Sequence, residues 1–263
     1  MPRARLLIPL LVLMVALAGT GARANLPATQ MVRLPAGSYI PFFARESRKS
    51  LGSDADAHRP VPLASFRLDT DPVTNEQFLA FVRAHPEWQR SAIRRIFADP
   101  QYLAQWKADV ALRDASDAKR PVTNISWFAA EAYCEAQGEE LPTTDQWEYA
   151  LADRGADARA LKGRILAWYG TPSTAPIAAV ETARANGYGV RGLVGLVWEW
   201  TLDFNSMMSG ADLRAGEEQF CGGGSLGALD PSDYASFMRY SMRASLKASY
   251  TTKNLGFRCA SAA

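Results

Sequence analysis

The sequence predicts a single α+β domain with much irregular structure. Of its 263 residues, 48% are hydrophobic and 21% are charged, a composition that is ordinary for a globular protein with a buried core. Short strand-like runs alternate with capped amphipathic segments, and long polar stretches separate them. We find neither an internal repeat nor a linker that would divide the chain into two domains.

Two strand-like segments come first. Residues 31–40 are predicted to form a strand that enters a turn at Pro35 and Gly37. Residues 61–68 are predicted to form another strand, and the polar stretch at 45–60 to form a surface loop.

Helices are predicted where capping residues precede an apolar face. Thr74 and Gln77 form a capping-box pattern at the start of the first helix, which Pro86 ends. Ser126 caps a second helix, whose buried face includes Cys134.

A third helix is predicted to begin at Thr143, and its Glu148 is interpreted as a solvated or capping carboxylate. Residues 88–107 are typical of two short amphipathic helices. Residues 154–185 show no sustained helical period, and residues 220–260 follow neither helical nor strand periodicity. Most of these last two stretches is therefore expected to be irregular.

The N-terminal residues match a secretory signal peptide. Arg3 and Arg5 precede an apolar run at 6–18, and a small-x-small cleavage site follows at 22–24. The run is short for a membrane span, and an uncleaved anchor is the alternative. We therefore expect a signal peptide at residues 1–24 and a domain at 25–263 that is periplasmic or secreted, with no membrane attachment after cleavage.

The net charge argues against one class of partner. The chain has 29 Lys and Arg against 27 Asp and Glu, but the predicted leader holds three of the arginines and no acid, which leaves 26 against 27. No basic stripe remains, so nucleic-acid binding is not expected.

Several common catalytic and metal sites are also not expected. The two histidines, His58 and His85, do not stand at metal-ligand spacing, and the chain has no Cys-x-x-Cys. A three-histidine iron site is excluded by this count within one chain, and a Ser-His-acid triad would need one of these two peripheral histidines.

Five motifs follow one another in a recognisable order. They are NISW at 124–127, LPT and WEY within 141–149, GLVWEW at 195–200, GGS at 223–225 and NLGFRC at 254–259. Together they resemble the formylglycine-generating enzyme, or sulfatase-modifying factor, family over residues 31–260. The resemblance implies a single domain of that type, with an arrangement related to the C-type lectin fold.

An exported chain can form disulfides, and three cysteines permit one. The family resemblance implies the pair Cys134–Cys259. This bridge would close a loop of more than 100 residues, which the chain-entropy model values at about 4–5 kcal/mol. Cys221 then remains as an odd thiol, either a buried inert cysteine or a functional one.

The family's copper chemistry lacks its ligands here. The resemblance implies Cu(I) held by two thiolates that follow the Gly-Gly-Ser motif by three and eight residues, and thiolates are the ligands that Cu(I) prefers. Those positions hold Ala228 and Asp233, and counting back from residue 254 gives Asp230 and Ala235. Copper is therefore not expected.

Cys221 remains the candidate catalytic residue, facing the same pocket from the other side of the glycine run. A soft-metal site would need methionines beside it, and the methionines nearest in sequence are Met207, Met208, Met238 and Met242. Such residues also serve as core fillers.

Calcium is a further cofactor that the resemblance implies. The family ligands correspond here to Gly192, Gly195, Val197 and Glu199, so the first side-chain ligand is missing. A site that prefers six or more oxygens is weakened by this loss. The alternative is that Glu199 is hydrogen-bonded within a structural turn.

The substrate pocket that the resemblance implies is retained. Trp198, Ser225, Arg243 and Asn254 match positions that line the groove in formylglycine-generating enzymes. An aromatic face, a hydroxyl, a guanidinium and an amide would suit a peptide or another small ligand.

These observations predict an exported member of the family that lacks the usual copper-binding cysteine pair. It would serve as a maturation or accessory factor acting on a periplasmic protein or a peptide-derived metabolite, and it is similar to members associated with siderophore maturation and with nitrite reductase. The alternatives are a formylglycine-generating oxidase that converts a substrate cysteine, and a non-enzymatic peptide- or glycan-binding module.

Overall fold

The computed structural model describes residues 26–40, 60–155, 158–172, 174–205 and 234–263. The predicted signal peptide lies outside these residues, as do Cys221 and Ser225 and nearly all of the predicted loop at 45–60. Within the described ranges, no helix is both long enough and apolar enough to cross a membrane.

A three-stranded antiparallel sheet joins the two ends of the domain. Its strands are β1 (Met31–Leu34), β4 (Phe66–Asp69) and β7 (Ala260–Ala262), with β4 in the centre. Leu68 lies opposite Val32 on one side and opposite Ala260 on the other. Because β7 pairs with a strand near the N-terminus, the NLGFRC motif that precedes β7 is drawn into the core.

Two smaller sheets complete the strand content of the described chain. The antiparallel pair is β2 (Gly37–Tyr39) with β3 (Val61–Leu63), and the parallel pair is β5 (Trp198–Glu199) with β6 (Leu255–Gly256). The strand predicted at 31–40 therefore consists of β1 and β2, and the strand predicted at 61–68 consists of β3 and β4. In each case the chain passes from one sheet to another between the two short strands.

The three predicted helices are confirmed. They are α1 (Asn75–Ala84), α2 (Trp127–Gln137) and α3 (Thr144–Ala152). Thr74 and Gln77 form both hydrogen bonds of the capping box, and the cap residue Ser126 accepts a hydrogen bond from the backbone of α2. Gly138 ends α2 with φ of 79°, the left-handed conformation that glycine adopts readily.

Three other predictions are wrong. The chain forms helices α4 (Ala158–Tyr169) and α5 (Tyr234–Ala244) where irregular structure is expected. Residues 88–107 are predicted as helices, but they form a series of turns that follows a short 3-10 helix at Pro86–Trp88. The Arg90 guanidinium stabilises these turns by donating to the carbonyls of Leu103 and Trp106, a role that no periodicity reveals.

An aromatic core packs between α1, α2 and the C-terminal segment. Its rings meet at centroid distances of 5.3 to 6.3 Å, many of them edge to face, which is a favourable arrangement for aromatic pairs. The members of this core are Phe78, Phe81, Trp106, Tyr133 and Phe257. A disulfide between Cys134 and Cys259, the pair that the family resemblance implies, is buried in the same cluster.

Candidate functional site

A small pocket opens between α3, α4, α5 and β5. Its walls are mostly apolar and aromatic, with two arginines and one glutamate among them. The lining residues are Trp147, Ile165, Trp168, Tyr169, Leu193, Val194, Val197, Trp198, Glu199, Arg239 and Arg243.

One wall of the pocket is a group of three aromatic rings. The Trp198 ring stacks on Tyr169, with centroids 5.1 Å apart and 17° between the planes, and the Trp168 centroid lies 5.0 Å from that of Trp198. The backbone N–H of Trp198 donates to the backbone carbonyl of Asn254 at 2.8 Å, which fixes the tryptophan at the start of β5. All three rings are half-buried, so part of each remains available to a ligand.

Beneath this wall, Glu148 is clamped by two arginines of α5. Arg239 donates from Nε to Oε1 at 3.1 Å and from Nη2 to Oε2 at 2.9 Å. Arg243 donates from Nη1 to Oε1 at 2.7 Å, and its guanidinium carbon lies 4.6 Å from the Trp147 ring centroid. The interpretation of Glu148 as solvated is therefore wrong, because its side chain is buried in an ion cluster.

The pKa of Glu148 reflects this clamp. Burial by itself would raise the pKa, but the charges and hydrogen bonds of Arg239 and Arg243 outweigh burial and lower it to about 2. Glu148 is therefore ionised at neutral pH, and it cannot act as a general acid there.

Glu199 is paired in the same way on the far side of Trp147. Arg258 donates from Nε to Oε2 and from Nη2 to Oε1, both at 2.8 Å, and the Trp147 indole N–H donates to Oε2 at 2.7 Å. Arg258 also donates to the carbonyls of Asp69 and Arg191. This bidentate pair is fully buried and joins β5 to the NLGFRC motif.

This geometry bears on the calcium ligands that the resemblance implies. Both oxygens of Glu199 already accept hydrogen bonds from charged or indole donors, and Gly192 offers no side-chain oxygen. Only the backbone carbonyls of Gly195 and Val197 are left of the implied set, and calcium prefers six or more oxygens. The residues present do not fit calcium, and the geometry favours Glu199 as a structural hydrogen-bond acceptor.

Only two of the four residues expected to line a substrate pocket are among the described residues that line it. Trp198 and Arg243 both line the pocket, whereas Asn254 lies at its edge through the backbone contact with Trp198, and its side-chain oxygen accepts from Thr252. Ser225 and the candidate catalytic Cys221 lie outside the described residues.

Three features of the site were not predicted from the sequence: the pairing of Glu148, the role of Arg239, and the rings of α4. The spacing of Arg239 and Arg243 by four residues, which places both on one helical face, is the signal that could have found the clamp. Trp168 and Tyr169 carried no comparable signal, because only the tertiary fold brings α4 against β5.

The cysteines limit what the site can bind. Cys134 and Cys259 are joined to each other, with Cα atoms 5.6 Å apart, so neither offers a thiolate. The sequence contains three cysteines in all, and Cys221 is the one that remains. The two-thiolate Cu(I) site that the resemblance describes therefore cannot be assembled from this oxidised chain.

The chain matches a known domain family over nearly its whole length. The family model described as sulfatase-modifying factor enzyme 1-like domain matches residues 18–263. The formylglycine-generating enzyme of Streptomyces coelicolor is 30% identical, over 87% of this chain and 88% of its own length. The inactive C-alpha-formylglycine-generating enzyme 2 of Bos taurus is 28% identical, over 98% of this chain and 96% of its own.

Among solved structures, PvdO from Pseudomonas aeruginosa is similar at 16% sequence identity. The similarity covers 89% of this chain and 94% of that chain, with a TM-score of 0.49. The family model alone spans well over half of the sequence. The protein therefore belongs to the sulfatase-modifying factor, or formylglycine-generating enzyme, family.

Proposed function

We propose that this protein is an accessory or maturation factor that binds an exported protein or a peptide-derived metabolite in the aromatic pocket. It does not oxidise cysteine at a two-thiolate copper centre. The observation that carries this proposal is the Cys134–Cys259 disulfide, which leaves one cysteine in the chain for any chemistry. The export that the leader predicts is part of the same proposal.

The character of the pocket supports a binding role. Its two carboxylate neighbours are each matched by guanidinium groups, Glu148 by the arginines of α5 and Glu199 by Arg258. Three guanidinium groups face two carboxylates, so the cluster keeps one positive charge, but all five side chains are buried and hydrogen-bonded to one another. The accessible surface is therefore dominated by the aromatic and aliphatic walls. Such walls favour an apolar or aromatic side chain of a ligand over a charged group.

The relatives are compatible with loss of the oxidase. One relative is named a formylglycine-generating enzyme, and another of similar identity is named inactive. Membership of the family therefore does not decide whether the oxidation is retained, and the cysteine count argues that it is not.

The oxidase is tested by supplying every component that it needs. The purified oxidised protein is incubated with Cu(I), molecular oxygen and a peptide containing Cys-x-Pro-x-Arg, and the peptide mass is followed. We expect no formylglycine product and one free thiol per denatured chain. Stoichiometric Cu(I) together with product would contradict the proposal, and loss of that product in Cys221→Ser would assign it to the remaining thiol.

Ligand binding at the aromatic wall is tested with Trp198→Ala. Peptide and glycan arrays first identify a ligand, and titration calorimetry then gives its Kd. Since truncating an aromatic hot-spot residue typically costs about 2 kcal/mol or more, we expect the Kd to rise by at least about tenfold. Trp88→Ala is the matched control, because Trp88 is also half-buried but packs on Phe81 and Phe97, away from the pocket.

The array result also separates the proposed factor from a general binding module. Binding of peptides that depends on Trp198 supports the proposed function. Binding of glycans that is equally strong in Trp198→Ala would place a lectin-like site outside the pocket and contradict it.

A further inference from the structure

The buried carboxyl group of Asp69 and the half-buried one of Glu139 meet beside the disulfide. Asp69 is the last residue of β4, and Glu139 follows the end of α2. A carboxylate oxygen of each residue and the Sγ of Cys259 all lie within 4.8 Å of one another. Asp69 is only 1% exposed, so water does not solvate its charge.

Hydrogen-bond donors account for only half of the four carboxyl oxygens. The backbone N–H of Cys259 donates to Asp69 Oδ2 at 2.8 Å, and the Thr29 hydroxyl donates to Glu139 Oε1 at 3.3 Å. Asp69 Oδ1 and Glu139 Oε2 are buried and accept no hydrogen bond from the part of the chain that the structure describes. Buried polar atoms are rarely left without a partner, and for a carboxylate oxygen the cost is large.

The neighbouring charges do not supply the missing partners. Arg258 contacts Asp69 only at its backbone carbonyl, and its guanidinium is committed to Glu199. The Tyr133 hydroxyl, from α2, accepts from Gln137, and it lies beyond hydrogen-bond distance of Asp69 Oδ1 and Glu139 Oε2. On the chain that follows β4, Asp71 and Arg191 pair with each other.

A bound metal ion is a poorer explanation than a proton. Cys259 cannot ligate a metal because its sulfur is in the disulfide. Two carboxylates and the Thr29 hydroxyl then make a small oxygen set, whereas calcium prefers six or more oxygens. A proton on one of the two acids removes the charge of a buried carboxylate and its repulsion with the other acid, and it needs no ligand.

We infer that the Asp69–Glu139 pair retains one proton in the folded protein, which makes the stability of the domain sensitive to pH. The pair stands between β4 and the end of α2, beside the disulfide that joins α2 to the C-terminal segment.

The pKa values agree with this geometry. Burial raises the pKa of Asp69 to about 7, and the Glu139 charge acts in the same direction. The Cys259 N–H, the Thr29 hydroxyl and the Arg258 charge act against this rise in pKa. Burial also raises the pKa of Glu139. Two acids that share a site titrate as a pair, so one proton is retained far above the pKa of an isolated carboxyl.

The direction of the pH effect follows from linkage. Between about pH 4 and pH 7 the folded state holds a proton that the unfolded chain has released. The contribution of the pair is therefore fully present below about pH 4, and it is lost as the pH rises to 7. One such proton lowers the folding equilibrium constant by about tenfold per pH unit within this window.

The test measures thermal unfolding of the oxidised protein from pH 5 to pH 8.5 for the wild type and two variants. Asp69→Asn keeps the oxygen that accepts from Cys259 and replaces the other oxygen with an amide group that does not titrate. We expect its stability to vary less with pH than that of the wild type, and to exceed the wild type at pH 8. The matched control is Asp114→Asn at an exposed 3-10 turn, which is expected to retain the wild-type slope.

Infrared spectroscopy provides a second readout that does not depend on folding stability. A protonated carboxyl C=O band is expected at neutral pH in the wild type and is expected to be absent from both Asp69→Asn and Glu139→Gln. Equal pH slopes in the wild type and Asp69→Asn, or no carboxyl band at pH 6, would overturn the inference. Stabilisation by calcium that disappears in Asp69→Asn would overturn it in favour of a metal site.

Discussion

Glu148→Gln is expected to lower the free energy of unfolding by about 3–5 kcal/mol, because it leaves two buried guanidinium groups without a counter-charge. The glutamine matches the glutamate in size, so packing around it is preserved. Its single carbonyl oxygen cannot serve the three hydrogen bonds that Arg239 and Arg243 now make, and its amide N–H groups face donors. Urea denaturation at pH 7 measures the difference.

The contribution of Glu148 to stability depends on pH, and Glu148→Gln is expected to lack this contribution. The folded pKa of Glu148 is about 2, below its ordinary value of 4.5. The stabilisation that follows is fully present above about pH 4.5 and is lost as the pH falls towards 2. The difference in the free energy of unfolding between the wild type and Glu148→Gln is therefore expected to decrease as the pH is lowered from 5.

The control for Glu148 is an ion pair on the surface. Glu76 and Lys119 are also paired, but both are exposed, so solvent screens their attraction. Glu76→Gln is expected to change the unfolding midpoint by no more than the error of the measurement. Equal effects of the two substitutions would show that burial of the clamp does not matter. A loss of ligand binding in Glu148→Gln at temperatures where it is folded would show that α5 also shapes the pocket.

The elements that the sequence predicts correctly are those with local signals. Helices α1 and α2 carry their capping residues and an apolar face within a dozen positions, so their limits can be found without tertiary information. The order of the five motifs identifies the family, and with it the domain type, for the same reason. The disulfide partners are supplied by that resemblance, because three cysteines alone do not specify a pairing.

Helix α5 shows why the rest was missed. Its buried face consists largely of Arg239, Arg243 and Tyr240, so hydrophobic periodicity does not mark it as a core helix. The arginines are buried because Glu148 is buried, and Glu148 lies 91 residues away from Arg239 along the chain. Helix α4 has Ile165 as its one buried residue, so its sequence also lacks a hydrophobic pattern that would indicate a helix. The site is formed by polar contacts between segments that are far apart in the sequence, and such contacts cannot be predicted from a local sequence pattern.

Replacing both disulfide cysteines, as Cys134→Ala with Cys259→Ala, is expected to lower the free energy of unfolding by about 4–5 kcal/mol. The bridge closes a segment of 125 residues, so its loss gives the unfolded chain much more conformational freedom. It also removes two buried sulfurs from the aromatic core. Guanidinium denaturation of the oxidised protein and of the double variant gives the difference.

Two comparisons separate chain entropy from lost packing. Wild-type protein in excess reductant keeps both sulfur atoms but not the bond, so it is expected to lose most of the same stability. Cys221→Ala removes the cysteine outside the disulfide and is expected to leave the denaturation midpoint unchanged. The contradicting outcome is that reduction leaves the free energy of unfolding unchanged while the double variant is unfolded. The two cysteines would then stabilise the domain through packing, and the covalent link between α2 and the C-terminal segment would contribute nothing.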